Sequence, residues 1–235
     1  DGSRAYVSIS DTDGDQSLIG IVDTATNRLL STVPATDDPL LAVPSKDGRF
    51  AYVASRQSAK LDEVDPAAGV VTRSVPVARD PVAAAPAPDG DRVYLAHRDT
   101  GLLTVLDPNS LTVLGTYQVS GDAQAVAAAP GGGQIAVAGP DDDTVSILDP
   151  DSGRELATAQ VDGGPSALAW APDGKHLYVG VETGEAVRVV DTTTWQVVGS
   201  VPTDDAPTSI AVSPDGRTGW VTASDAGTVA VLDLA

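Results

Sequence analysis

The sequence predicts an all-β fold built from repeated four-stranded antiparallel sheets, and three observations lead there. Asp-Gly recurs at 47, 89, 173 and 215, with Pro-Gly-Gly at 130–132 where a further copy is due, so every step is 42 residues. An aspartate closes an apolar run at Asp23, Asp65, Asp107, Asp149, Asp191 and Asp233, again 42 residues apart. Between these markers each unit carries short β-rich runs separated by Gly, Pro and Asp, and no segment shows the apolar stripe of a helix.

The first run of a unit follows Asp-Gly and reads RFAYVAS, RVYLAH, HLYVGV or TGWVTA, with an aromatic residue at Tyr6, Tyr52, Tyr94, Tyr178 and Trp220. Aromatic and β-branched residues suit a pleated, half-buried surface. The second run ends on the periodic aspartate, as in LLTVLD, TVSILD, AVRVVD and TVAVLD. Asp followed by Thr or Pro, as in DTAT, DPNS and DPDS, ties its own backbone into a turn, which gives these aspartates a structural role. The third run appears as RLLSTVP, VVTRSVPV, LTVLGTYQV and WQVVGSVP. The fourth, in PVAAAPAPDG, PSALAWAPDG and PTSIAVSPDG, leads into the next Asp-Gly. It is small at alternate sites, Ala83, Ala85, Ala125, Ala127, Ala167, Ala169, Ser209 and Ala211, as strands crowding round a shared axis must be. Val126, Leu168, Trp170 and Ile210 on its other face are expected to pack on the adjacent sheet, and Trp195 and Trp220 to lie on strands in the core.

Four antiparallel strands in a repeat of about 40 to 50 residues is the signature of a β-propeller blade. Neither face of such a sheet is covered by its own unit, so neighbouring blades supply its core. Six blade units are recognisable, with six aromatic and six Asp-terminated strands but five innermost and five outermost ones. The closed ring is expected to hold six or seven blades, and residues 1–235 are read as a single propeller domain. Two readings stay open: a domain incomplete at both ends, or a ring that closes unusually, leaving blade edges free to pair with another chain.

The pattern SPDGRxxYVxx…VxVxDxxT…VVxxVPV resembles the YVTN β-propeller repeat family of surface-layer-like and other exported bacterial and archaeal proteins, over essentially the whole chain. The asparagine of the family's namesake tetrapeptide is replaced by Ser55, His97, Gly139, Val181 and Ala223 in the later copies. The resemblance implies a scaffold in an extracellular, periplasmic or cell-surface setting.

The formal net charge is −19, with 33 acidic against 14 basic residues, which argues against nucleic acid and anionic lipid as partners. Without cysteine there is no disulfide framework and no thiolate ligand, and no apolar run is long enough to insert in a membrane. The first unit has 46 residues between its Asp-Gly and the next, and the four extra residues fall within SDTDGDQS. There Asp11, Asp13 and Asp15 alternate round Gly14 as oxygen ligands for calcium would, although the EF-hand spacing is not met. A solvated hairpin loop is the alternative.

About half of the 33 acidic residues fall in the aromatic-strand hairpins and in the links to the innermost strands, among them Asp37, Asp38, Asp141, Asp142, Asp143, Asp204 and Asp205. On a propeller these loops surround one mouth of the central channel and create an acidic face for a protein or small cationic ligand. His97 with Asp99 or Arg98 is the one candidate for catalysis, against an exposed turn histidine, and no nucleotide-binding or hydrolase fingerprint is present. The sequence thus points to a non-enzymatic binding scaffold. A lactonase-like hydrolase or lyase with a divalent metal at the acidic mouth, and a structural repeat segment of a larger surface protein, are the alternatives.

Overall fold

A computed structural model describes residues 2–10, 17–35, 38–119 and 121–234. Six antiparallel sheets follow one another along the chain. The first contains β1 (Arg4–Ser10), β2 (Ser17–Asp23) and β3 (Arg28–Pro34). The second contains β4 (Pro39–Pro44), β5 (Ala51–Ser55), β6 (Lys60–Asp65) and β7 (Val70–Pro76), and the third β8 (Pro81–Pro86), β9 (Val93–His97), β10 (Leu102–Asp107) and β11 (Thr112–Gln118). In the fourth are β12 (Ala125–Ala128), β13 (Ile135–Gly139), β14 (Thr144–Leu148) and β15 (Glu155–Gln160), and in the fifth β16 (Pro165–Trp170), β17 (His176–Val181), β18 (Ala186–Asp191) and β19 (Gln196–Pro202). The last contains β20 (Ser209–Val212), β21 (Thr218–Ala223) and β22 (Thr228–Asp233). Among the described residues the first sheet has no innermost strand and the last no outermost one, in line with the five innermost and five outermost runs counted in the sequence. By its internal contacts the chain divides into two compact units, Asp1–Thr116 and Tyr117–Ala235.

Turn chemistry sets the strand boundaries. Asp65 Oδ1 accepts the amides of Ala67 and Ala68 at 2.8 and 3.0 Å, and Asp191 Oδ1 accepts those of Thr193 and Thr194 at 2.9 and 2.8 Å. Asp23, Asp107 and Asp149 close their turns in the same way. The Thr26 and Ser110 hydroxyls on Asp23 and Asp107, and the Ser152 and Thr194 amides on Asp149 and Asp191, favour the ionised form, so these four carboxyls titrate below the usual range. The residue ending this turn is left-handed in every copy: Asn27, Gly69, Leu111, Gly153 and Trp195, with φ of 52°, 71°, 54°, 66° and 57°. Trp195 thus lies in a turn rather than on a strand, in a conformation that is rare for a bulky residue. Its ring repays this by meeting Trp170 edge-on, with centroids 6.1 Å apart and planes at 89°.

Within each unit, consecutive sheets bury facing layers on one another. In the N-terminal unit Ile19, Ile21 and Val33 meet Ala51, Val53 and Val64, while Tyr52, Ala54 and Leu61 meet Val93, Leu95 and Leu106. In the C-terminal unit Val145, Ile147, Ala159 and Val161 meet Trp170, Leu177, Val179 and Val181, while Tyr178 and Val187 meet Val221 and Leu232. Burying each valine, leucine or isoleucine is worth about 1.5–3 kcal/mol, so the sheets cohere mainly through these layers. Trp220 departs from the expected core role. The outward face of the last sheet has no following sheet in its unit, and Trp220, Val229 and Val231 are 41%, 60% and 65% exposed there.

Candidate functional site

The sequence-selected carboxylates have different fates. Asp141 and Asp142 lie exposed on a single 3-10 turn, Pro140–Asp142, and Asp204 is exposed after β19. Asp143 follows the turn with φ 55°, and its Oδ1 accepts the amides of Gly163 and Gly164 at 3.0 and 2.8 Å. Asp205 Oδ1 accepts the amide of Ala206 at 2.7 Å. Asp143 and Asp205 therefore organise loops. Asp38, with φ 56°, accepts the amide of Arg56 on its carbonyl at 3.1 Å. Among the described residues none of these carboxylates forms an ion pair. Asp11, Asp13, Asp15 and Asp37 lie outside the described residues.

The C-terminal unit has a cavity of about 280 Å³ at the loop end of its inner strands, lined by Gln124, Ser166, Glu182, Ala206, Pro207, Thr208 and Asp225. Gln124, Ser166 and Thr208 are 42 residues apart, so one position of the repeat recurs three times round the cavity. The N-terminal unit has Leu40 and Val82 at that position. Ser166 is buried, and its hydroxyl donates to the Pro207 carbonyl at 3.0 Å. Glu182 and Asp225 add two carboxylates, and no cationic side chain joins the lining among the described residues.

His97 is neither an exposed turn histidine nor available for proton transfer to a ligand. It is fully buried on β9, with Nδ1 3.1 Å from the Arg79 carbonyl and Nε2 2.9 Å from Thr104 Oγ1. Burial depresses its pKa below 6.5, the ordinary value, so the imidazole is neutral at pH 7.

Sequence reasoning passed over the second sheet. Glu63 is 3% exposed and forms an ion pair with Arg73, whose Nε donates to Glu63 Oε1 at 2.9 Å. Thr72 Oγ1 donates to the same oxygen at 2.6 Å, and Arg73 Nη1 reaches the Asn109 carbonyl at 2.9 Å. The Arg73 guanidinium holds the Glu63 carboxyl below its ordinary range and is itself raised. Glu63 stands where other copies have Ile21, Val105, Ile147 and Val189, and Arg73 where they have Ser31, Gly115, Ala157 and Gly199. Lys46 replaces the proline of Pro88, Pro130, Pro172 and Pro214. A position-by-position comparison at the 42-residue spacing exposes all three departures.

No family model matches the chain, and no curated protein matches it in sequence. Solved structures do. Hydrazine synthase of Kuenenia stuttgartiensis superposes with a TM-score of 0.68 at 18% identity, covering 100% of this chain and 93% of that one. A functionally unknown protein of Desulfotomaculum acetoxidans gives 0.81 at 18% identity, over 97% and 78% of the two chains. A chain of the mitotic checkpoint complex gives 0.86 at 18% identity, over 100% and 75%. The fold is a six-bladed β-propeller. At these identities the likeness extends to the propeller architecture, on which many unrelated functions are built.

Proposed function

We propose that this propeller is a non-enzymatic binding scaffold of the YVTN type, working outside the cytoplasm, whose C-terminal unit takes the ammonium or guanidinium group of a small or peptide ligand. The observation that carries this reading is the cavity of about 280 Å³ in which Glu182 and Asp225 stand with Ser166 of β16 and with Gln124 and Thr208, which immediately precede β12 and β20, and with no cation among the described lining residues. A charged amine there gains two carboxylate partners and hydroxyl and amide acceptors, a strong combination in a partly desolvated site. The exposed, unpaired Asp141, Asp142 and Asp204 in the same unit and the net charge of −19 add a long-range attraction that speeds encounter. The repeat pattern is the support for the family and the exported setting. The hydrolase or lyase reading would place a divalent metal at the acidic mouth, and metal-dependent activity on lactones or esters would favour it. Calcium binding by Asp11, Asp13 and Asp15 is a separate proposal resting on the loop sequence; a calcium titration of the stripped protein, with Asp13→Ala alongside, decides it. A second chain would add at the edge strand β22, beside Trp220, Val229 and Val231, which sedimentation over a concentration series checks.

The test of the main reading is calorimetric titration of spermidine at fixed salt. Saturable binding weakened at least tenfold by Glu182→Gln with Asp225→Asn is expected. No saturable heat, or equal affinity in the double variant, contradicts it.

A further inference from the structure

The N-terminal unit carries a cavity of opposite sign at the other end of its sheets. It measures about 770 Å³ and opens among the Asp-Gly turns, between the start of β1, the β4–β5 turn and the β8–β9 turn. Among the described residues Arg4, Lys46 and Arg49 line it, against Asp65 as the single carboxylate. Asp65 Oδ1 holds the amides of Ala67 and Ala68. In a chain with 33 acidic and 14 basic residues, three cations against one carboxylate among the described lining residues is a marked local reversal.

None of the three cations has a carboxylate within ion-pair distance among the described residues, although Arg56 and Arg73 of the same unit do, with Asp80 and Glu63. Lys46 is held in place. Its stem lies against Gly90, where an added Cβ would come within 2.6 Å of the Lys46 Cβ, and its Nζ donates to the Asp89 carbonyl at 2.7 Å. Two donors of that ammonium remain for a ligand. The Arg49 guanidinium lies over the Phe50 ring, 5.4 Å from its centroid, which fixes the charge beside an apolar surface. Tyr6, Phe50 and proline side chains supply the rest of the wall.

We propose that this cavity binds a small organic anion, with a phosphate or carboxylate head held by Arg4, Lys46 and Arg49 and a flat apolar body lying along Tyr6 and Phe50. The volume falls in the range of ordinary small-molecule sites, and the mix of an apolar wall with a few convergent charges is what such sites require. The repeat itself offers an internal control: Lys175 occupies in the fifth sheet the place that Arg49 occupies in the second. A bare Asp-Gly-turn cation is therefore present elsewhere without the Lys46 and Arg4 partners.

The experiment is calorimetry with phenyl phosphate, benzoate and inorganic phosphate, with circular dichroism confirming the fold of each variant. Phenyl phosphate or benzoate is expected to bind saturably, at least tenfold more weakly after Lys46→Ala with Arg49→Ala, and several-fold more weakly after Phe50→Leu. Lys175→Ala is expected to leave binding unchanged, and inorganic phosphate to bind more weakly than phenyl phosphate. Should the double variant fail to fold, Lys46→Gln and Arg49→Gln taken singly give the same reading with smaller losses. Absence of saturable binding for both organic probes, or a loss with Lys175→Ala equal to that of the cavity variants, overturns the proposal.

Discussion

The second and fifth sheets have the same four strands in matching register, yet they hold their polar chemistry at opposite ends, and the second adds an ion pair to the apolar layer that joins it to the next sheet. In the fifth, Val189 faces Gly199 across the outer strand pair, and Tyr178, Val187 and Val189 form an apolar layer with Val221 and Leu232. In the second, Glu63 faces Arg73 at the equivalent pair, and the guanidinium reaches over to the Asn109 carbonyl of the third sheet. The fifth sheet contributes Ser166 and Glu182 to a cavity at the hairpin end, and the second contributes Lys46 and Arg49 to one at the Asp-Gly end. A repeat therefore fixes the frame, while individual departures from it place charge, and a buried departure persists only when its partners come with it.

The comparison breaks most severely at Trp170. It is 8% exposed, packs on Trp195 and donates from its indole to the Ala127 carbonyl at 3.2 Å. Trp170→Ala is expected to cost about 3–5 kcal/mol in urea unfolding, the usual loss for a large buried aromatic. Arg73→Ala strands the Glu63 carboxylate. The expected cost is about 2–3 kcal/mol, below that of a fully buried pair because the Arg73 side chain is 41% exposed. Importing the pair of the fifth sheet, Glu63→Val with Arg73→Gly, sharpens the contrast, since stability should return to within about 1 kcal/mol of the parent. The same double variant should lose less stability in acid. The Glu63 pKa is depressed by Arg73, so its contribution is complete above the unfolded value of about 4.5 and is lost as pH falls through the folded one.

His97 on β9 extends the contrast, because Val181 occupies its place on β17. Its folded pKa is lowered by burial, so below about pH 6.5 the unfolded chain takes up a proton that the folded chain resists. Stability is expected to fall as pH drops from 7 toward 5, and His97→Val to flatten that slope while losing about 1 kcal/mol from the unpaired Thr104 hydroxyl. Ser166→Val, which imports the residue of Val82, should weaken spermidine binding several-fold with a stability change of about 1 kcal/mol. The smallest effect is expected from Trp220→Ala, within about 0.5 kcal/mol in the monomer, because this ring lies on an uncovered face.

Most of the fold was legible because two signals, the Asp-Gly turn and the Asp-terminated strand, share one period and each has a local cause. The backbone amides that Asp65 and Asp191 accept lie two and three residues away, so the turn is written in adjacent residues. The sites were less legible. Asp143 and Asp205 look like surface charge in the sequence, but they spend their carboxylates on loop amides, Asp143 on Gly163 and Gly164 some twenty residues away. His97 reads as a hairpin histidine, and its burial depends on the Arg79 carbonyl across a neighbouring loop. Trp195 reads as a strand residue because nothing local announces a left-handed tryptophan; only alignment with Asn27, Gly69 and Gly153 does. The cavities depend on residues from three repeats each, which only the repeat register brings into one view.

The central claim is that one propeller frame carries two separate sites of opposite sign. It is tested most directly by amide chemical-shift mapping of the labelled protein with spermidine and with phenyl phosphate. Two saturating footprints that do not overlap are expected, one on the loops of Glu182, Thr208 and Asp225, the other on the turn of Lys46, Gly48 and Arg49. Shifts scattered over all acidic loops for spermidine, or a phenyl phosphate footprint absent from the Lys46 turn, would contradict it.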